Sequence, residues 1–266
     1  MQISTLSSFF MGFLLLVFVS CNKETINNEA PDQLTNTAVA KANQDTKYNT
    51  FKGPQVDIGN GHGRTFATIS HTGIPQEIGV VLTDDAFSGL PKMNTIFSLP
   101  FHQKAIKATL FEHVALGLSV LGHGLPPSGS IGAHFDFRFF MMTEAERLAI
   151  PAPPAPGFNV APPPGYLPAN YALNAPVAQI GRHWGKNVFT AGTHVDHTMI
   201  YGTWNGELTF INPIVTMTTL ASGASYSVAY PQPQNFAVHG YYATKYNIYE
   251  DRKENHYVSL SDFVWR

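Results

Sequence analysis

The sequence predicts a mainly β protein, folded as a single barrel-like or sandwich domain of short antiparallel strands with one or two short helices. Aromatic residues are abundant, with 19 Phe, 11 Tyr and 3 Trp, and such residues favour strands and well-filled cores. The 22 Gly and 19 Pro interrupt the chain too often for long helices. Several runs also alternate polar and apolar side chains with a period of two, which is typical of half-buried strands.

The N-terminal region predicts a signal peptide over residues 1–20. Residues 8–20 are nearly all apolar, a length that suits a signal-peptide core and falls short of the roughly 20 residues of a membrane-spanning helix. Cys21, the only cysteine, follows at once, and Phe18-Val19-Ser20-Cys21 resembles the lipobox of bacterial lipoproteins. We therefore expect Cys21 to be lipidated; an inert buried thiol is the alternative.

Residues 21–53 are predicted to form a flexible tether between the lipid and a β-rich globular domain over residues 54–266. The segment has hardly a large apolar residue before Tyr48, so it cannot bury enough surface to fold. A flexible chain of this length spans roughly 30 Å on average. The expected location is the bacterial cell envelope, in the periplasm or at the outer membrane, after secretion across the inner membrane.

The charge balance excludes some partners. Charged residues make up 13% of the chain and the formal net charge is −2, so the sequence offers no basic surface for nucleic acid. No cluster of Lys or Arg indicates binding to anionic lipid. Contact with a membrane is therefore expected through the lipid anchor only.

Strand-like stretches recur through the first half of the globular domain. Residues 64–71 and 74–83 are predicted strands, and Thr83 can cap a short helical turn that ends at Gly89. Residues 108–121 predict a long strand with small side chains on one face. Such a face leaves room for another group or for a neighbouring sheet.

A capping box predicts a short helix after the central strand. Thr143 and Glu146 have the S/T-x-x-E spacing, so the helix is expected over Glu144 to Ala149. Residues 151–168 are a Pro/Ala/Gly stretch without a period, which we interpret as an ordered or semi-rigid excursion, with a domain linker as the alternative. Residues 181–185 are expected on a turn. Further strands are predicted at 225–230, 241–249 and 256–260.

The most specific local prediction is a β-hairpin. Residues 198–204 and 207–213 flank Asn205-Gly206, the sequence typical of a two-residue type I′ turn. The register that follows pairs Trp204 with Glu207, Tyr201 with Phe210, and Met199 with Asn212. This register places His197 and Asn212 on one face of the hairpin.

The candidate functional site is centred on residues 134–140, His-Phe-Asp-Phe-Arg-Phe-Phe. The strand period places three phenylalanines on one face and His134, Asp136 and Arg138 on the other. The apolar face needs a hydrophobic core, and the polar face is either a functional pocket or a surface ladder of salt bridges. Asp136 with Arg138 is interpreted as an ion pair.

Further histidines lie beside glycine or at predicted strand ends, as is common at the mouth of a cavity. The histidines of this kind are His123, His134, His183, His194 and His197. Imidazole and carboxylate groups together bind Zn, Fe or Mn, but dispersed histidines equally hydrogen-bond within a polar core. No Walker loop, dinucleotide fingerprint or serine nucleophile elbow is present.

These motifs resemble those of a family of secreted bacterial β-rich proteins of unknown function, typified by a sigma-E-regulated protein of a thermophile. The similarity runs from about Gly59 to the last residue, and its most specific parts are the block at 134–140 and Gly181-Arg182-His183-Trp184. The resemblance implies a β-rich fold and suggests a homo-oligomer, with no assigned activity.

The chain departs from that family at two positions. The family has a second histidine where Arg138 stands and an acidic residue where Asn212 stands. The resemblance therefore implies the loss of up to two metal ligands and the gain of a fixed positive charge. That charge favours an anionic group such as carboxylate or phosphate.

The favoured interpretation is an envelope lipoprotein that binds a small, anionic ligand in a histidine- and arginine-lined pocket. The ligand-binding candidates are Arg138, His134, His183, His197 and Asn212. One alternative is a metal-dependent hydrolase or lyase, in which His134, His183 and His197 hold zinc, iron or manganese and Asp136 is the catalytic base or orients a ligand. A second alternative is a structural subunit of an oligomer.

Overall fold

The computed structural model describes residues 48–125 and 127–266. The predicted signal peptide, the lipidation of Cys21 and the tether as far as residue 47 lie outside these residues. The first strand, Tyr48–Lys52, pairs residue by residue with Ser70 to Phe66. The tether prediction is therefore wrong for these five residues, because backbone pairing at a sheet edge orders a segment that is poor in apolar side chains.

Short strands make up about half of the described chain. In order they are β1 (Tyr48–Lys52), β2 (Val56–Ile58), β3 (Gly61–Ser70), β4 (Pro75–Leu82), β5 (Thr95–Pro100), β6 (His113–Ser119), β7 (His123–Leu125), β8 (Gly129–Ile131), β9 (His134–Phe140), β10 (Tyr171–Val177), β11 (Gly181–Lys186), β12 (His197–Trp204), β13 (Glu207–Thr216), β14 (Tyr226–Ala229), β15 (Tyr241–Glu250) and β16 (His256–Trp265).

The strands form two seven-stranded antiparallel sheets and one small hairpin. The first sheet has the order β1-β3-β4-β16-β15-β14, with β2 also paired to β3, and the second has the order β10-β11-β12-β13-β9-β6-β5. Strands β7 and β8 pair only with each other. The fold is sandwich-like, as predicted, and the described strands close no barrel.

The core lies between the two sheets. Phe135, Phe137 and Phe139 of β9 enter it from the second sheet, and Ile78 and Leu260 from the first, all fully buried. Burying one such side chain stabilises the fold by about 1.5–3 kcal/mol. The alternation predicted for β9 is confirmed, and it forces the polar side chains of this strand onto the outer face of the second sheet.

The hairpin of β12 and β13 is confirmed, but its register is not the predicted one. Trp204 pairs with Glu207 as expected, whereas Tyr201 pairs with Ile211 and Met199 with Pro213. The register shifts between Gly202 and Thr203, where Thr209 is the extra residue of a β-bulge. Beyond the bulge every side chain of β12 therefore lies on the face opposite to the one predicted.

The helices are short: α1 (Gln103–Ala108), α2 (Glu144–Leu148), α3 (Met217–Ala221), and 3₁₀ turns at Asp84–Phe87 and Pro156–Asn159. The Thr143–Glu146 capping box of α2 is present in both directions. The strand predicted over 108–121 is observed as the shorter β6, because residue 108 is the last residue of α1. The predicted turn over 181–185 is instead part of β11. No helix in the described ranges has the length and apolar character to cross a membrane.

Candidate functional site

The polar side chains of β9 occupy the middle of the outer face of the second sheet. Asp136 lies between Gly117 of β6 and Ile214 of β13 in the strand register. His134, Asp136 and Arg138 are nevertheless buried, with exposed fractions of 0%, 7% and 8%. The row predicted from the sequence is therefore a covered polar cluster and not a solvated surface ladder.

An ion pair forms the centre of this cluster. Arg138 Nη2 lies 2.8 Å from Asp136 Oδ2, which confirms the predicted pairing. Asn212 donates from Nδ2 to Asp136 Oδ1 at 2.8 Å. His134 Nε2 lies 3.6 Å from Asp136 Oδ2, longer than a hydrogen bond. We call His134, Asp136, Arg138, His183 and Asn212 the polar cluster.

The pKa of Asp136 reflects two opposed effects. Burial, the largest single effect, raises the pKa of this carboxyl group, but the charge of Arg138 together with His134 and Asn212 lowers it by more in total. The net result is a pKa well below the ordinary value. Asp136 is therefore ionised at neutral pH, and its charge offsets that of Arg138.

His183 joins the polar cluster from β11. Its ring packs edge-on against Phe210, with centroids 5.5 Å apart, and its Nδ1 lies 3.2 Å from the carbonyl oxygen of Ala175. Because a carbonyl only accepts, Nδ1 carries the proton and Nε2 is an acceptor. Burial, helped by the charge of Arg138, lowers the pKa of His183 to about 4, so the ring is neutral at pH 7.

Gly117, one of the small residues predicted on one face of the strand over 108–121, has a specific role in the observed strand β6. A Cβ atom on Gly117 would overlap Nη1 of Arg138, so the glycine makes room for the guanidinium group. In contrast, a Cβ atom on Gly124 of β7 would meet nothing closer than 3.8 Å. Gly117 therefore positions the ion pair without contributing any polar atom.

Gly117→Ala should displace Arg138 and weaken its pair with Asp136, at a cost of about 1–3 kcal/mol in the free energy of unfolding. Gly124→Ala is the matched control and should change stability by less than about 1 kcal/mol. Urea denaturation of both variants at pH 7 measures the difference. Equal stability of the two variants would show that the guanidinium group of Arg138 can shift away from the added methyl group without weakening its pair with Asp136.

Two adjoining segments cover the polar cluster. We call the β7–β8 hairpin together with residues 187–196 the flap. Its parts are joined by backbone hydrogen bonds from Ser130 N to Thr193 O at 3.0 Å and from Val195 N to Ser130 O at 2.9 Å. The exposed ring of His123, at the start of the flap, packs edge-on against His134 with centroids 4.9 Å apart.

An apolar cluster that also includes Val195 and Phe189 of the flap, and a backbone hydrogen bond from Thr216 N to Asp196 O at 2.9 Å, hold the flap to the sheet. Leu125 and Ile131 of the flap pack with Ile200 and Ile214, on the outer face of β12 and β13. The sequence analysis missed these residues, because 122–132 was read only for its glycines and histidine. The available signal was the presence of two large apolar residues in a stretch otherwise made of glycine, proline, serine and histidine.

His197 does not belong to the polar cluster, and its predicted grouping with Asn212 is wrong. Its Nδ1 lies 2.7 Å from the hydroxyl of Tyr246 in the first sheet, and its ring packs against Tyr226. The bulge at Thr209 puts His197 on the inner face of β12, whereas Asn212 lies on the outer face. His194 lies on the flap, beside Gly132.

Of the five predicted ligand-binding residues, the structure therefore places Arg138, His134 and Asn212 around Asp136, and His183 near enough for the charges of Arg138 and Asp136 to act on its pKa. It does not bring together the three histidines predicted to bind a metal. Within residues 48–125 and 127–266, no group of three or more His, Cys, Asp or Glu side chains is arranged to hold a metal ion. The metal-site prediction based on His134, His183 and His197 does not agree with this geometry.

Several polar atoms of the cluster lack partners. Four buried atoms have no hydrogen-bond partner among the described residues: His134 Nε2, Arg138 Nε, His183 Nε2 and Asn212 Oδ1. A buried polar atom without a partner costs about 1–3 kcal/mol. Four of them in one cluster distinguish this part of the sheet from an ordinary core.

A cleft of about 480 Å³ lies elsewhere on the molecule, and none of its lining residues belongs to the polar cluster. No protein-family model, curated protein or solved structure matches this chain. Function is therefore argued from the residues themselves.

Proposed function

We propose that this protein is a lipid-anchored envelope protein that binds a small polar molecule at the polar cluster. The observation that supports the proposal is the set of four buried polar atoms without partners among the described residues. A molecule that supplies those partners relieves a penalty of about 1–3 kcal/mol for each atom. The anchor at Cys21 and the envelope location remain predictions from the sequence.

The unpartnered atoms favour a particular class of ligand. Arg138 Nε donates, whereas His183 Nε2 and Asn212 Oδ1 accept, because their companion atoms donate to Ala175 O and to Asp136. A hydroxyl or amine group both donates and accepts, or donates more than once. Such a group complements the cluster better than an anion does.

The structure also argues against the anionic ligand expected from the sequence. Asp136 already pairs with the charge of Arg138 at 2.8 Å, and its lowered pKa keeps it ionised. An anion at this position would approach a carboxylate as closely as it approaches the guanidinium group. We therefore infer a neutral or amine-bearing ligand.

Access requires the flap to move. The cluster atoms are buried, and the apolar contact beside them consists of Leu125, Ile131, Val195 and Phe189 of the flap against two isoleucines of the sheet. This contact is much smaller than the core between the sheets, so opening the flap costs less than disrupting that core. Ligand entry beneath the flap is therefore compatible with an intact sandwich.

The test uses the lipidated protein in detergent and follows thermal unfolding with ethanolamine, 1,2-propanediol or acetate at millimolar concentration. We expect the first two compounds to raise the Tm and acetate to leave it unchanged, since a ligand that binds only the folded state stabilises it. Asn212→Ala and His183→Ala should abolish the rise. His71→Ala, at an exposed turn, should retain it.

Two results would overturn the proposal. One is the same rise in Tm in Asn212→Ala and His183→Ala as in the unchanged protein. The other is an unchanged Tm with both the amine and the diol. Stabilisation by acetate alone would support the anionic ligand expected from the sequence and contradict the donor and acceptor argument.

A further inference from the structure

The cleft of about 480 Å³ lies at one end of the sandwich, where several loops meet. It is bounded by the start of β13, by the residues that follow β9, by Pro163 and Tyr166 of the Pro-rich segment, and by residues 235–238. This volume lies in the range typical of sites for small molecules. The cleft is separate from the polar cluster and independent of the function proposed for it.

The Pro-rich segment forms a fixed wall of the cleft. The carbonyl oxygen of Gly165 accepts hydrogen bonds from Gln234 N at 2.9 Å and from Asn235 N at 3.0 Å. Phe158 packs edge-on against Trp204, with centroids 4.8 Å apart. The segment is thus an ordered part of the domain, and the cleft is shaped before any ligand arrives.

The charged groups that line the cleft are carboxylates. Glu146 of α2 and Glu207 of β13 line it, and the described lining residues include no Lys, Arg or His. Hydrogen bonds from the side chain and backbone of Thr143 lower the pKa of Glu146. Glu207 makes no ion pair within the described ranges. The cleft therefore presents negative charge at neutral pH.

Aromatic and methionine side chains provide the rest of the lining. Tyr166, Phe236 and Tyr242 line the cleft together with two methionines. The guanidinium group of Arg266 already lies over the ring of Phe236, 5.6 Å from its centroid, so Tyr166 and Tyr242 are the aromatic side chains assigned to ligand contact. Aromatic faces beside carboxylates are the combination that recognises alkylated ammonium groups.

We propose that this cleft binds a small organic cation with an apolar shell, of the quaternary ammonium class. The carboxylates supply the charge complement, and the aromatic rings and methionines contact the alkyl groups. A phosphate next to the ammonium group would be repelled by Glu146 and Glu207. The expected ligand is therefore a free cation and not a zwitterionic lipid headgroup.

Calorimetric titration of the lipidated protein in detergent tests the proposal, with choline as the probe. Its neutral isostere, 3,3-dimethylbutan-1-ol, has the same shape without the charge and should bind at least about tenfold more weakly. Glu207→Gln should weaken choline binding about three- to tenfold. Glu254→Gln, which removes an exposed carboxylate outside the cleft, should have no effect.

Equal affinities for choline and its neutral isostere would overturn the proposal, as would the same choline affinity in Glu207→Gln and Glu254→Gln. Glycerophosphocholine is the probe for a lipid headgroup. We expect it to bind more weakly than choline, and tighter binding would contradict the assignment to a free cation. Choline binding that is weakened in Glu207→Gln but unchanged in Asn212→Ala separates this cleft from the polar cluster.

Discussion

Arg138→Met should lower the free energy of unfolding by about 3–5 kcal/mol at pH 7. The substitution leaves Asp136 ionised and only 7% exposed, without the cation that lies 2.8 Å away in the unchanged protein. A buried charge without its partner is among the most destabilising changes in a core. Urea denaturation, analysed as a two-state transition, measures the loss.

A second variant distinguishes two causes of destabilisation: the unpaired charge of Asp136 and the lost packing of the Arg138 side chain. Asp136→Asn combined with Arg138→Met removes both charges and should be more stable than Arg138→Met alone. Lys245→Met is the matched control, because Lys245 pairs with Asp262 at 2.7 Å with both side chains well exposed. Its cost should be below about 1 kcal/mol. A similarly small cost for Arg138→Met would contradict a buried ion pair.

Stability should fall as the pH is lowered from about 6.5 to about 4. His113 and His183 each have a pKa lowered to about 4 from the ordinary 6.5, mainly by burial. Within this window the unfolded chain binds protons that the folded chain does not, so protonation favours unfolding. The difference corresponds to roughly 3 kcal/mol for each ring. Above pH 6.5 both rings are neutral in both states and the effect vanishes.

Other titratable groups also contribute to the dependence of the free energy of unfolding on pH. Asp136 has a lowered pKa, so its stabilising contribution is present above the ordinary range of a carboxyl group and is lost only at lower pH. Burial raises the pKa of Glu77, and this carboxyl group acts in the opposite sense to the histidines. The contribution of one histidine is therefore best isolated by replacing it.

His113→Phe isolates the contribution of one of the two histidines to that profile. The ring of His113 stacks on Phe140 at 5.1 Å and 2°, and neither of its nitrogens has a hydrogen-bond partner among the described residues. Phenylalanine keeps the stacking and removes two unsatisfied polar atoms, so the variant should be at least as stable at pH 7. Its stability should also vary less between pH 6.5 and 4, as urea denaturation across that range would measure.

His71→Phe is the control, because His71 is exposed and its substitution should leave the pH profile unchanged. If the free energy of unfolding of His113→Phe falls with pH as steeply as that of the unchanged protein, His113 takes up its proton without unfolding. Arg147 and Glu144 are the charged groups that act on this ring, in opposite directions. Burial is the largest cause of the shift.

Much of the fold could be predicted from short local patterns in the sequence. The alternation in β9 identified the inner and outer faces of that strand, because successive side chains of a strand point to opposite sides. Asn205-Gly206 located the hairpin, since both residues adopt positive φ angles, 50° and 81°. The capping box at Thr143 located the start of α2. Each signal spans only a few residues and depends on backbone geometry alone.

The membership of the polar cluster was less predictable. Asn212 was chosen from the sequence and does bond Asp136, and His183 lies within the electrostatic influence of Arg138, but His197 lies on the opposite face of its strand. One extra residue, Thr209, reverses the faces of β12 beyond the bulge. A bulge depends on the twist and on the partner strands, and neither is visible in the run of residues that contains it.

From the order of residues alone we could predict a mainly β fold, barrel-like or sandwich, with a phenylalanine core and an Asp136–Arg138 pair on one strand, because strand period and adjacent charges are local properties. Only the tertiary structure decided that Asp136 offsets the charge of Arg138 beneath a flap, and that Glu146, Glu207 and the Pro-rich segment meet at one cleft. Burial and charge balance depend on which distant segments pack together, and the order of residues along the chain does not specify that packing.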